Sequence, residues 1–247
     1  MTGIDPIEPA WPVASPVRAL TTTRAGGVSE GPWASLNLGT ACGDAPAAVA
    51  ENRRRLTESL PSAPCWLRQV HGCRLIHARD WVEGIEADAI WTDQPEQVCA
   101  ILSADCLPVL IADREGEWVA AVHAGWRGLA AGILERVVDS LPSRPSSMVA
   151  WIGPSIGSQA YEVDAPVRNA MLALDSALAG CFEATRSGHW EADLQAMAWQ
   201  RLSVSGVDDI VDAKLCTASD AARFYSHRRD QGRSGRQATL IWLEPGV

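Results

Sequence analysis

Lysine is nearly absent from this chain: Lys214 is the only one, and every other basic residue is an arginine. Acids outnumber bases 30 to 21, for a formal net charge of −9. A chain of that sign lacks the basic footprint of a protein that tracks phosphate backbones, so nucleic acid is not an expected partner. A local basic pocket for one small anion stays open. Long apolar runs are missing too. None approaches the roughly 18–20 residues of a membrane span. Residues 1–15 contain Asp5 and Glu8 but no Lys, Arg or apolar h-region, so they do not read as a secretory signal. The expectation is a soluble, cytoplasmic protein with no membrane contact.

Other absences narrow the chemistry. There is no GxGxxG and no GxxxxGK[ST], which removes the best sequence support for dinucleotide or P-loop binding. Seven cysteines stand at 42, 65, 73, 99, 106, 181 and 216, with no CxxC pair among them. An odd, scattered set in a cytosolic chain reads as reduced thiols, most of them small core hydrophobes. Phe and Tyr occur twice each against eleven Trp, and an indole needs a large core or a stacking partner.

What is present fits an ordinary globular protein: 247 residues, 47% hydrophobic and 21% charged. No repeat, low-complexity tract or linker interrupts it, so residues 1–247 read as one domain. Strands are expected at 17–23, at 65–70 and 74–78 as a pair turning at His71-Gly72, and at 89–92. More are expected at 98–102, 109–112, 119–123, 149–152, 223–226 and 238–242. Helical spacing marks Val49, Arg53, Leu56 and Leu60 after Pro46. It recurs at Leu129, Ile133, Val137 and Leu141, and over 193–204. Strands do not alternate strictly with helices, which favours a mixed α/β or α+β layered sheet over a doubly wound nucleotide fold.

Three residues stand where an apolar run gives way to a turn: His71, Cys106 and His123. Their spacing forbids a local finger, so only tertiary structure can bring them together. Two imidazoles and a thiolate are a legitimate zinc set, and three protein ligands leave a fourth position open, as in catalytic sites. The same residues also read as a core cysteine with two hydrogen-bonded histidines, or as a Cys106–His123 nucleophile–base pair without metal. Arg127 falls in the first turn of the helix after His123, where its charge opposes the dipole. That position suits an anion-holding task, and equally a plain surface arginine. Arg24 and Asn37 lie in a long polar loop of the kind that carries function. The basic cluster at 227–236 reads as a solvated charged segment.

A set of short motifs then carries a family resemblance. They are Thr22-Thr-Arg-Ala-Gly-Gly-Val-Ser, Ser35-Leu-Asn-Leu-Gly, Glu51-Asn-Arg, Gln69-Val-His, Ala87-Asp-Ala, Ser103-Ala-Asp-Cys-Leu-Pro, Ala121-Val-His-Ala-Gly-Trp-Arg-Gly, Ile152-Gly-Pro, Tyr161-Glu-Val and Phe224-Tyr-Ser-His-Arg-Arg-Asp. With them the chain resembles the bacterial YfiH/YlmD family, also called the multicopper polyphenol oxidase or laccase-domain family, which includes the human protein FAMIN. The resemblance implies an α/β/β/α layered single domain with mixed sheets, and a zinc ion on His71, Cys106 and His123. It implies phosphorolysis of adenosine, inosine and methylthioadenosine, and deamination of adenosine. On that basis phosphate falls to Arg127 and Arg24, the sugar or base to Asn37, and an orienting or acid–base role to Asp105. The oxidase label implies copper, for which five histidines are few. Some family members are linked to editing of cell-wall precursors, which would suit a cysteine or zinc amidase. Two stretches depart from the family pattern: Gln159-Ala160, where a cysteine is frequent, and Gly232-Arg-Ser-Gly-Arg, where Thr-Gly-Arg is usual.

Overall fold

The centre of the molecule is built from runs that are mostly apolar and buried at every position. The computed structural model describes residues 3–245. In chain order they form β1 (Val17–Thr21), α1 (Pro46–Thr57), β2 (Cys65–Trp66), β3 (Leu75–His77), β4 (Ala89–Thr92), β5 (Cys99–Ser103), β6 (Leu107–Asp113) and β7 (Val119–Ala124). Then come α2 (Trp126–Ala130), α3 (Ile133–Ser140), β8 (Met148–Ile152), β9 (Glu162–Asp164), α4 (Ala165–Leu174), β10 (Phe182–Arg186), β11 (His189–Ala192), α5 (Leu194–Val204), β12 (Asp209–Asp212) and β13 (Gln237–Leu243). Every residue of β6, β7, β8 and β13 is buried. Strands with no polar alternation must be covered on both faces.

Two mixed sheets provide that cover. One has the order β12-β8-β6-β7-β4-β3, the other β1-β13-β5-β2. Between them lie Ile90, Leu110, Val119, Ala121 and Trp151 from the first and Cys99, Ile101, Ile241 and Leu243 from the second. The outer face of the six-stranded sheet, with Val109, Ile111, Ala120 and Val122, packs on α3 and α5 through Ile133, Val137, Met197 and Leu202. The outer face of the other sheet, with Ala100, Ala238 and Leu240, meets Leu56 of α1 and the loop residues Leu36 and Leu38. The layers therefore run α/β/β/α, as expected. A third, three-stranded sheet, β10-β11-β9, lies outside this stack. None of the described helices is long and apolar enough to cross a membrane.

Three expectations are corrected. Residues 65–70 and 74–78 do not pair: β2 joins β5 and β3 joins β4, each in parallel and in different sheets. The proposed hairpin is thus a crossing from one sheet to the other, with His71 at the crossing. The helix over 129–141 is two helices, because Gly132 takes a left-handed φ of 79° between them. The apolar face survives the break, with Leu129, Ile133 and Val137 all fully buried. Residues 223–226 form no strand; they are tied down as a loop, with Tyr225 N–H donating to the Gln237 side chain at 3.0 Å. The charged segment at 227–236 is solvated as expected, with His227, Arg228 and Arg233 exposed, and it is also tied down. Arg229 donates to the carbonyls of Thr217 (2.9 Å) and Phe224 (3.0 Å).

Candidate metal centre

The register of three neighbouring strands sets the site. β6 and β7 are antiparallel with Leu107 opposite Ala124, so Cys106, one residue before β6, comes up beside Gly125. β4 and β7 pair Ala89 with Val122, which puts Asp88, one residue before β4, beside His123. The His123 N–H donates to the Asp88 carbonyl at 2.7 Å, extending that ladder by one rung. His71 arrives from the crossing between sheets. Gln69 fixes the approach, donating to the Leu102 carbonyl and accepting from the Leu102 N–H, both at 2.7 Å.

The outcome is one cluster. Ligand atoms of His71, Cys106 and His123 all lie within 4.8 Å of one another. The Cys106 Sγ is 3.8 Å from His71 Nε2, and the two imidazole rings meet edge to face at 4.8 Å. Burial is graded, from exposed His71 through half-buried Cys106 to buried His123, so the cluster opens on one side to solvent. Gly125 completes the cradle. A Cβ there would stand 2.8 Å from His71 Cδ2 and 3.2 Å from Cys106 Sγ, so only glycine leaves the space clear.

Asp88 organises the set, and sequence reasoning gave it no role. It is fully buried. Its Oδ1 contacts His123 Nδ1 at 2.9 Å and accepts the His71 N–H at 2.9 Å; its Oδ2 accepts from Gly72 at 2.7 Å and Val70 at 3.2 Å. These bonds hold His71 at a φ of 59°, a strained conformation for a non-glycine residue. With Nδ1 of His123 on the carboxylate, Nε2 is the nitrogen left for the cluster, the arrangement found behind metal-bound histidines. Burial pushes the Asp88 carboxyl up, but His123 and the backbone amides outweigh it and hold it below its usual range. The signal for Asp88 was its place in Ala87-Asp-Ala, immediately before a buried strand.

The charges in the cluster are mutually dependent. Burial disfavours a thiolate, yet His123 and His71 override it and bring Cys106 down to about 6. Burial likewise disfavours an imidazolium, and Asp88 with Cys106 raises His123 to about 9. The donor set fits a borderline divalent ion: a thiol held near ionisation, one oriented imidazole, a second at the rim, and an open side.

The remaining predicted residues lie around this cluster or away from it. Asp105, next to Cys106, has φ 84° and a committed carboxylate, taking Thr217 Oγ1 at 2.6 Å and the Arg228 N–H at 2.7 Å. It anchors two loops rather than offering a free oxygen. Arg127 is exposed at the start of α2 and stacks on Trp126 at 4.4 Å. Arg24 donates to the carbonyls of Ala34 and Ala221 and lines a hollow of about 320 Å³ with Pro32, Asp230 and Arg233. Asn37 is fully buried, and its amide serves its own loop. It donates to Gly39 O and Asp44 Oδ2 and accepts from the Gly39 and Arg236 N–H groups. A second hollow of about 460 Å³, lined by Val28, Trp33 and Asp44, also lies apart from the triad.

Residues 18–244 match the family model described as multi-copper polyphenol oxidoreductase laccase. A purine nucleoside phosphorylase of Pseudomonas aeruginosa is 48% identical over 239 residues, covering 96% of this chain and 98% of that protein. The purine nucleoside phosphorylase YfiH of Escherichia coli K12 is 45% identical over 240 residues, with 96% and 98% covered. Among solved structures, a Neisseria meningitidis protein superposes with a TM-score of 0.93 at 41% identity, covering 97% of this chain and 99% of that one. YlmD of Geobacillus stearothermophilus gives 0.84 at 32% identity, with 94% and 93% covered.

Proposed function

The chain belongs to the family of the multi-copper polyphenol oxidoreductase laccase model, shared by the YfiH and YlmD proteins, and on that premise we propose that it is a zinc-dependent purine nucleoside phosphorylase. The observation that carries this reading is the convergence of His71, Cys106 and His123 on one open-sided cluster, in a chain 48% and 45% identical to two proteins named as purine nucleoside phosphorylases. His71, Cys106 and His123 hold the ion, and Asp88 sets the tautomer of His123. Bound there, zinc supplies Lewis acidity toward a substrate oxygen or nitrogen. Copper is the less suited occupant, since the cluster offers two imidazoles rather than the many a multicopper site needs.

In phosphorolysis a phosphate oxygen bonds to the ribose C1′. The C1′–N bond to the purine breaks, its electron pair leaves on the base, and the base nitrogen takes a proton. Arg127, stacked on Trp126 at the cluster's edge, holds the phosphate. Adenosine, inosine and methylthioadenosine are the substrates, and adenosine is also deaminated at the same site. The test is a nucleoside panel with and without phosphate, resolved by product chromatography. Free purine is expected with ribose 1-phosphate from adenosine and inosine and 5-methylthioribose 1-phosphate from methylthioadenosine, and inosine from adenosine alone. Nucleosides returned intact by zinc-loaded protein would overturn the reading.

One observation favours a second reading. Cys106, His123 and Asp88 form a thiol–imidazole–carboxylate series with the thiol brought to about 6, the layout of a cysteine hydrolase such as an amidase acting on cell-wall precursors. Chelation separates the two. A cysteine hydrolase keeps its turnover when metal is removed, and the phosphorylase loses it.

A further inference from the structure

The chain has two tyrosines, and each lies under a guanidinium. Arg24 sits 4.9 Å from the Tyr225 ring and Arg228 sits 5.0 Å from the Tyr161 ring. Tyr225 is structural: fully buried, its hydroxyl donates to the Trp33 carbonyl at 2.7 Å. Tyr161 is linked to the metal centre through Arg228, which lies over its ring and donates its backbone N–H to Asp105, the neighbour of Cys106. Burial pushes the Tyr161 phenol up to about 12.

Arg228 is fixed at three points. Its backbone N–H donates to Asp105 Oδ2 at 2.7 Å, beside Cys106; its Nη1 donates to the Glu162 carbonyl at 2.8 Å; its plane rests on Tyr161. Among the described residues it forms no ion pair. Neighbouring arginines do: Arg229 forks onto Asp230 at 2.8 and 2.9 Å, and Arg223 meets Asp220. The carboxylate nearest in sequence to the Arg228 contact, Glu162, is itself tied to Arg186 and Thr185, each at 2.8 Å. In a chain with 30 acids and 21 bases, this guanidinium is held in place and kept free of carboxylates. Its Nε and Nη2 edge presents the planar fork that suits a phosphate.

We propose that Arg228, seated on Tyr161 and anchored to Asp105, is the second arm of a phosphate clamp whose first arm is Arg127. The clamp rests on the phosphorolysis reading and names the residues that hold its second substrate. It joins the Tyr161-Glu-Val stretch and the C-terminal arginine stretch to the metal centre.

The test compares wild type with Arg228→Gln, Arg228→Lys and the surface control Arg18→Gln. Because the residue 228 N–H holds Asp105, these side-chain changes leave that anchor in place. Arg228→Gln raises KM for phosphate by about tenfold or more, and Arg228→Lys by less. KM for the nucleoside and zinc content stay within about twofold. Arg18→Gln, which among the described residues bonds only to Glu244 and Ser15, stays near wild type. Calorimetric titration with inorganic phosphate, without nucleoside, reads the same order independently of turnover. An unchanged phosphate KM and affinity in Arg228→Gln, or a loss shared equally by nucleoside and zinc, overturns the clamp. If wild type phosphorolyses no nucleoside, the functional reading fails, while the phosphate titration still decides for or against Arg228.

Discussion

Strand β4 carries an aspartate just beyond each end, and each holds a buried histidine. At one end Asp88 grips His123 Nδ1 at 2.9 Å; at the other Asp93 meets His77 Nε2 at 3.2 Å. The pairs are alike in make-up, yet only one borders the His71–Cys106–His123 cluster. His77 Nδ1 accepts the Arg79 N–H at 3.0 Å, so both of its nitrogens are occupied, and its ring packs edge-on against Trp91 at 4.3 Å. His123 keeps Nε2 for Cys106 and His71. Its aspartate is fully buried, whereas the Asp93 side chain is 40% exposed. A histidine–aspartate pair becomes functional through what faces the second nitrogen, not through the pair itself.

The sharpest way to break this comparison is to delete each histidine. His123→Ala empties the centre of metal and lowers turnover by about 10²–10³-fold. His77→Ala keeps both and costs about 1–3 kcal/mol of stability. Metal analysis and a denaturant titration of the two proteins check this; equal metal loss in both would erase the distinction. The aspartates come next. Asp88→Asn weakens metal affinity by about 10–100-fold, and Asp93→Asn leaves it unchanged, read by competition with a chromogenic chelator. Asp88 also sets an acid limb. Its folded carboxyl lies below the usual range, so its stabilisation is present above the unfolded value of about 3.9 and fades as pH falls through the lower folded value. Asp88→Asn therefore flattens the loss of stability in acid, and an unchanged pH–stability curve would contradict that.

Smaller effects sharpen the same picture. Gly125→Ala places a methyl against His71 and Cys106 and lowers metal affinity by about tenfold, whereas Gly180→Ala, with nothing within 4 Å of its Cβ position, is silent. In chelated protein, Cys106 alkylates with a midpoint near pH 6, since its thiolate fraction grows as pH rises through about 6. Cys73, whose thiol burial pushes up, reacts only at higher pH. Mass spectrometry of the alkylated peptides separates the two, and coincident midpoints would count against the cluster electrostatics.

These effects also mark what the residues alone reveal. His71, Cys106 and His123 were legible because each closes an apolar run, and such runs become buried strands whose ends emerge together. Asp88 was passed over: its place before a buried strand was a signal, but its role exists only through the rung that pairs β4 with β7. The pairing of residues 65–70 with 74–78 failed for the same reason: proximity in sequence favoured a hairpin, and register with β5 and β4 decided otherwise. Strand β10 was not expected, because it is short and mostly exposed and offers no buried apolar run. The Leu129 to Leu141 periodicity located the buried face correctly but missed the glycine that divides it. Asn37 looked available because it is polar and in a loop, while its amide is occupied by that loop.

Metal content measured on protein purified without added metal bears most directly on the central claim, that Cys106 joins His71 and His123 around a single ion. Wild type and Cys216→Ala should each carry about one zinc per chain, and Cys106→Ala close to none. Zinc retained in full by Cys106→Ala would contradict it.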